Sequence, residues 1–199
     1  MTSLRHNGST ASPRDGYLDA ARDCILDVGL RRTTLTEVAR RAGVSRMTIY
    51  RSWSDMGQLL GDLMTREWAE MVSSTMAAEP AAGDAASRLA HAIASAVAAL
   101  RDNELFVRIV ELDPDVLLPY LLSRRGRSQQ AILDLTAELV AAGQAIGEIR
   151  AGDPLAIARG LALAAHGFVL SAHTMVDDDV DAEALDGELR LLLERGLRP

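Results

Sequence analysis

The 199-residue chain holds one cysteine, Cys24, and no lysine; all 21 of its basic residues are arginine. A single thiol excludes an intrachain disulfide framework and a cysteine-based zinc site, and it fits a reducing cytoplasm. Cys24 is expected to be a small buried residue. Aromatic residues make up only 4% of the chain against 48% hydrophobic, so any core must be aliphatic. Proline is scarce, and no sustained alternation of Val, Ile and Thr appears. Alanine and leucine dominate instead, which favours helices over a sheet.

Long uncharged apolar runs are also missing. The most apolar stretch, residues 155–176, contains Arg159, His166 and His173, and only 17 uncharged residues follow Arg159. A membrane helix needs about 20. This stretch is read as a buried interface helix, with no membrane partner. No secretory signal pattern opens the chain; residues 1–12 are polar and turn-rich and are expected to form a flexible arm. The histidines are scattered without an H-x-x-x-H or H-E-x-x-H pair, so no metal site is expected. There is no nucleophile elbow, P-loop or G-x-G-x-x-G. With no cluster of acid–base residues, the chain does not read as an enzyme, and no cofactor is implied.

What the chain does have is a charge asymmetry. Residues 1–53 carry nine arginines and five acidic residues, a net +4, while residues 54–199 carry twelve arginines and twenty-three acidic residues, a net −11. Between 31 and 53 there are six arginines and one acid, Glu37. A basic quarter on an acidic protein points to an anionic partner at that end.

The periodicity predicts an all-α chain of about nine to ten helices. The first spans roughly 13–28, with Tyr17, Ala21, Cys24, Ile25 and Val28 facing inward and Gly29 as its stop. Thr34 and Glu37 have capping-box spacing and open a short second helix that Gly43 ends. Ser45 caps a third helix of two turns, in which Ile49 and Trp53 share one face. A longer fourth helix starts with Ser54 as cap. A break follows at Pro80, Gly83 and Asp84. Then come helices near 85–100 and 103–112, a segment broken around Pro119, a long helix near 124–146, another from Pro154 to about 175, and a last one ending at Gly196. The boundary of two domains is placed near residue 55: a smaller unit at 13–54 and a larger unit at 55–199.

Helix, glycine turn, helix is the spacing of a helix-turn-helix. Ala39 is small enough for a second helix to cross it closely. Gly43 can adopt positive φ without a Cβ clash. Val44 and Ile49 can fill the space between the helices. The outer face of the third helix then offers Arg46, Met47, Thr48, Tyr50 and Arg51. Such a helix fits the major groove of duplex DNA, about 12 Å wide. Arg46 could bond bidentately to a guanine edge, with Met47 and Thr48 touching other base edges or a thymine methyl. Tyr50, Arg51 and the Thr34 hydroxyl could hold phosphates. Two roles stay open for Tyr50, phosphate contact or packing on the first helix. Two stay open for Arg40 and Arg41, a solvated face or base reading.

Residues 29–53, GLRRTTLTEVARRAGVSRMTIYRSW, resemble the DNA-binding signature of the TetR family of transcriptional regulators, G-x-x-x-T-T-x-x-x-[IV]-A-x-x-A-G-V-S-x-x-x-[IL]-Y-x-[HYS]-[FW]. Gly29, Thr33, Thr34, Val38, Ala39, Ala42, Gly43, Val44, Ser45, Ile49 and Tyr50 match in order. With the first helix included, the likeness covers about a quarter of the chain. Trp53 stands where the family usually has Phe. SDMGQLL replaces the common S-K-x-E-L-L, so the phosphate contact of that lysine is not carried over. The resemblance implies an N-terminal three-helix DNA-binding domain, with Thr34, Ser45, Arg46, Met47, Thr48, Tyr50 and Arg51 at the DNA, and a C-terminal helical domain for ligand binding and dimerisation. It also implies a homodimer on a near-palindromic double-stranded DNA operator, with recognition helices about 34–36 Å apart. A repressor released by a small, largely apolar effector, so far unknown, completes that picture. A helical regulator that binds a ligand or partner without an inducer is the alternative.

Candidate ligand-binding residues are Met64, Trp68, Met71, His91, Phe106, Tyr120 and Phe168, each of which could instead be core filling. Gly160, Ala164, Gly167 and Ser171 form a stripe of small residues, and Ile132, Leu135 and Leu139 a parallel apolar one. Together they are candidate dimer-interface positions for a four-helix contact. The other reading of both stripes is intrachain core.

Overall fold

The computed structural model describes residues 12–77 and 83–199, with backbone alone over 72–77. Residues 1–11 of the expected arm 1–12, and Pro80 of the expected break, lie outside them. Among the described residues the chain forms ten α-helices, two 3-10 turns and no strand. The helices are α1 (Pro13–Val28), α2 (Leu35–Arg41), α3 (Arg46–Ser52), α4 (Met56–Ala77), α5 (Ala85–Arg101), α6 (Glu104–Leu112), α7 (Leu118–Leu122), α8 (Arg127–Ala145), α9 (Pro154–Ser171) and α10 (Ala182–Leu197). The 3-10 turns are Pro114–Val116 and Ala172–Met175.

Local chemistry sets the helix starts. Ser12 belongs to α1: its hydroxyl accepts from Asp15 N–H, and the Asp15 carboxylate accepts from Ser12 N–H at 2.9 Å. Such a cap is worth about 0.5–2 kcal/mol. Thr34 caps α2 by accepting from Glu37 N–H at 3.2 Å, but the Glu37 carboxylate turns to Arg40, so the expected box closes by half. Ser45 accepts from Thr48 N–H at 3.2 Å and opens α3. The cap of α4 falls one residue later than expected: Asp55 accepts from Gln58 N–H at 2.9 Å, while Ser54 donates to Asp55. Pro119 starts α7 instead of breaking it, because a first-turn residue needs no free N–H. The expected helix from 124 begins only at Arg127. There Gly126 takes an extended conformation, and its N–H donates to the Gln129 side chain at 2.8 Å.

Two aliphatic cores result. The first joins α1–α3 to the start of α4 and to α6, through Ala21, Ile25, Val38, Ala39, Ile49, Trp53, Leu59, Leu63, Leu105 and Ile109. Each large buried side chain in it contributes about 1.5–3 kcal/mol. Cys24 lies in this core as expected, and burial pushes its thiol pKa up. Val28 does not: it is exposed at the end of α1, and Leu18 takes the inward position one turn before Ala21. The second core packs α5 and α10 with α8 and α9, through Ala90, Ala94, Val97, Val140, Ile157, Leu161, Leu189, Leu193 and Leu197.

Candidate nucleic-acid interface and internal cavity

Gly43 turns the chain between α2 and α3 at φ 68°, a left-handed conformation that favours glycine. Val44 N–H then bonds back to the Ala39 carbonyl at 3.0 Å. Ala39 and Ile49 are buried at the crossing, and Val44 packs beside them. With Ile49 and Trp53 turned inward, the opposite side of α3 faces outward. Arg46, Met47, Tyr50 and Arg51 are exposed there, Met47 by 64% and Tyr50 by 48%. Half of the Tyr50 side chain is thus open to an outside partner, while Tyr17 makes an edge-on contact with Trp53, ring centres 6.5 Å apart. Thr48 is half-buried, and its hydroxyl shares a 2.9 Å hydrogen bond with Ser45. Thr34 is exposed, with its oxygen accepting from Glu37 N–H and its hydroxyl hydrogen left to donate outward.

The arginines here sort into two groups. Arg40 is bonded to Glu37 and Arg41 to Asp27. These pairs raise both guanidinium pKa values, and the Arg40 bond lowers that of Glu37. Arg31 is bonded to Asp113 and Asp115. Arg46 and Arg51 have no ion-pair partner among the described residues. Their charge is open to an outside anion, whereas that of Arg40 and Arg41 is already met. Arg32, just before α2, is exposed and equally unpaired. It was not singled out from the sequence, where it is one arginine of an adjacent pair.

Two carboxylates fasten this unit to the rest of the molecule. Asp113, buried after α6, accepts from Leu30 N–H at 2.7 Å and from Arg31 N–H at 3.3 Å. Gly29 makes this approach possible: a Cβ there would stand 3.2 Å from both the Asp113 carboxylate and Leu112. Asp62 on α4 accepts from Trp53 Nε1 at 2.7 Å, from Arg127 at 2.7 Å and from Arg14. Burial pushes the Asp62 carboxyl up, but the bonds from Trp53, Arg14 and Arg127 outweigh it and leave the pKa below its ordinary value. One side chain thus ties α1, the residue that ends α3, and the start of α8 together. Neither aspartate carried a sequence signal, since each partner lies far away in the chain or belongs to a backbone group.

Beside Asp62 opens a cavity of about 850 Å³. Arg14, Trp53 and Asp62 form part of its wall, with Met64, Trp68, Phe106 and Tyr120. A neighbouring cavity of about 470 Å³ shares Trp68, Tyr120, Arg124, Arg125 and His166 with it and adds Met71. Of the expected lining residues, Met64, Met71, Trp68, Phe106 and Tyr120 come together. His91 and Phe168 line neither cavity. On α9, His166, Val169 and Leu170 face the larger cavity, and residues from Ala158 to Ala165 join His166 and Val169 at the smaller one; Phe168 stands about 200° round the helix from His166, packed against the second core. His91 is displaced in the same way from Ile93, which does line the smaller cavity. His166, which sequence reading took only as a scattered histidine, is half-buried, and burial lowers its pKa.

The outer faces of α8 and α9 carry the remaining candidates. Leu135, Leu139, Gly160, Ala164, Gly167 and Ser171 are exposed, and Ile132 is half-buried. Gly160 and Gly167 have nothing within 4 Å of where a side chain would start. Residues Pro154–Met175 are long and apolar enough to cross a membrane by length and composition, and only 22% of the most apolar window is buried. On this helix Ile157, Ala158 and Leu161 pack inward, as the intrachain-core reading has it, while Gly160, Ala164, Gly167 and Ser171, the stripe of the interface reading, are exposed on the single chain.

Comparison with known proteins agrees with this arrangement. Residues 18–63 match the family model of bacterial regulatory proteins, tetR family. An uncharacterised HTH-type transcriptional regulator of Mycobacterium tuberculosis is 33% identical over 172 residues, covering 86% of this chain and 87% of that protein. Among solved structures, the repressor QsdR of R. erythropolis, from the TetR family, superposes with a TM-score of 0.67 at 17% identity, covering 94% of this chain and 96% of that one. FadR of Bacillus subtilis in complex with stearoyl-CoA gives 0.64 at 19%, covering 92% and 98%. On the signature it carries and the length over which it matches these relatives, the chain belongs to the TetR family of helix-turn-helix transcriptional regulators.

Proposed function

We propose that the protein is a cytoplasmic homodimeric repressor that binds a near-palindromic operator through α3 and leaves it when an effector fills the cavity beside Asp62. The observation that carries the DNA reading is the contrast on one surface: Arg46 and Arg51 are unpaired, while Arg40 and Arg41 are neutralised from within. In this reading residues 13–54 form the DNA-binding unit and 55–199 the regulatory unit. Arg46, Met47 and Thr48 meet base edges. Thr34, Ser45, Tyr50 and Arg51 hold phosphates.

The exposed apolar faces of α8 and α9 are proposed to meet their copies in a second chain. Gly160 and Gly167 would let the helices approach closely, as in a four-helix contact. A bilayer is a poorer occupant, since Arg159 also stands exposed on α9.

The cavity is proposed as the effector site, and its wall supplies the link to DNA. Trp53 directly follows α3 and bonds to Asp62 in that wall. A ligand that moves α4 or Arg127 disturbs the bonds that hold α1 and the end of α3 in register. Reversing occupancy from 99:1 to 1:99 needs about 5.5 kcal/mol of differential affinity. FadR, similar in fold, is described with stearoyl-CoA, which makes a ligand with an apolar part a reasonable first trial. The test is a mobility-shift titration of the full chain on DNA upstream of its own gene, with and without apolar metabolites. Retarded DNA that a metabolite releases is the expected outcome. Binding that no metabolite alters favours the inducer-free regulator, and no binding at all removes the DNA reading.

A further inference from the structure

The charges around the cavities do not follow those of the domain that holds them. Residues 54–199 are strongly acidic, yet among the described residues the smaller cavity is lined by Arg124, Arg125 and Arg159 and by no carboxylate. The larger one has four arginines and two carboxylates, and both carboxylates are engaged. Asp62 serves Trp53, Arg14 and Arg127; Asp55 accepts from Gln58 N–H and the Ser54 hydroxyl.

Arg124 and Arg125 border both cavities. The guanidinium carbon of Arg124 lies 4.8 Å from the centre of the Tyr120 ring. A guanidinium stacked on an aromatic face is held in place; one Nη of Arg124 donates to the Tyr120 hydroxyl at 3.4 Å, and its other N–H groups are left to donate to a ligand. Arg125 has no partner among the described residues. Behind this pair the walls turn apolar, with Trp68, Leu100 and Val169 common to both cavities.

We infer that the cavities take an amphipathic anion: an apolar chain among Trp68, Leu100 and Val169, ended by a carboxylate or phosphate that Arg124 and Arg125 bind. A planar guanidinium fork matches both headgroups, and two guanidiniums without a carboxylate partner beside an apolar chamber select for a charged end over a neutral one. This rests on the reading of the cavity as a ligand site and narrows the chemistry of its ligand. It also gives the headgroup a means of action, since Arg127 stands two residues from Arg125 and an anion held there competes with Asp62 for it.

Decanoate, decyl phosphate and decanol, each below its micelle concentration, form a probe set with one chain and three heads. Trp68 lies in both linings, so intrinsic fluorescence of the full-length protein follows binding. The anions are expected to bind at least about tenfold more tightly than decanol, the ratio a charge-assisted hydrogen bond supplies. The ratio should shrink as salt rises. Arg124→Ala/Arg125→Ala should bring the anions down to the decanol affinity and leave decanol unchanged; Arg125→Ala alone, which breaks no contact, should do so in part. Carboxylate and phosphate are told apart by which anion binds more tightly. Equal binding of all three probes, a preference that survives the double substitution, or no binding of any overturns the inference. Anions that bind with the expected preference yet leave the DNA complex intact uphold this site and remove the effector reading instead.

Discussion

The two halves of the molecule are packed to different ends. Around α1–α3 the large apolar side chains are mostly finished within one chain: Ile25, Val38, Ile49 and Trp53 are at most 1% exposed, and the large apolar side chains that face out are Val28, Met47 and Tyr50. In the C-terminal half, Leu163 is 71% exposed and Ile146 64%, and two chambers open between the helices. The same aliphatic composition thus builds a closed unit in one place and an open one in another. A rigid small unit suits holding a helix at a fixed angle to DNA. A larger unit with uncovered faces and cavities suits being completed by a ligand and a second chain.

Substitutions should separate the halves clearly. Ile49→Ala removes a fully buried side chain from the closed core and should cost about 2–5 kcal/mol in urea unfolding. Leu163→Ala, on an exposed face, should change intrachain stability by no more than about 0.5 kcal/mol. Leu163→Glu should nevertheless shift the protein from dimer to monomer in sedimentation velocity, and an unchanged dimer would remove α9 from the interface.

Asp62 joins the two halves, and its loss should be felt in both. Asp62→Asn keeps the shape and leaves Arg14 and Arg127 without their carboxylate, at a cost of about 1–3 kcal/mol. Because the Asp62 pKa is lowered on folding, the unfolded chain binds its proton more readily. The stability it contributes is therefore complete above the ordinary value of 3.8 and is lost as pH falls through the lower folded value. In Asp62→Asn the acid limb of a stability–pH curve should flatten by that share.

Smaller still is the effect expected of Arg51, proposed to face a phosphate. Arg51→Ala should lower the salt-dependence slope of DNA binding by about one and weaken all sequences alike. Arg40→Ala, whose charge is already met by Glu37, should change the slope much less. Equal effects of the two would mean that the internal pairs open on DNA.

Much of the closed half was legible in the sequence because its signals are local. Thr34 and Ser45 act as caps within three residues of their partners, and Gly43 sits at the turn that requires it. The helix order of the second half was legible for the same reason. Its cavity was only partly so. Met64, Trp68, Phe106 and Tyr120 converge, but whether Phe168 or His166 faces inward depends on how α9 is rotated against its neighbours, which one-dimensional spacing leaves open. Asp62 and Asp113 were missed because their meaning lies in partners such as Arg127 and Leu30, 65 and 83 residues away. Arg124 and Arg125 were read as part of a helix that in fact starts at Arg127. A count of unpaired charge in SRRGRS was the available hint.

The most direct measurement is competitive binding of the wild type and Arg46→Ala to upstream operator DNA and to random duplex of equal length, at fixed salt. With Arg46 at a base edge, the wild type should prefer the operator, and the variant should lose about 1–3 kcal/mol on it while its preference relaxes at one base position. The account fails if the wild type binds both duplexes alike, or if Arg46→Ala weakens both by the same factor and leaves the sequence preference intact.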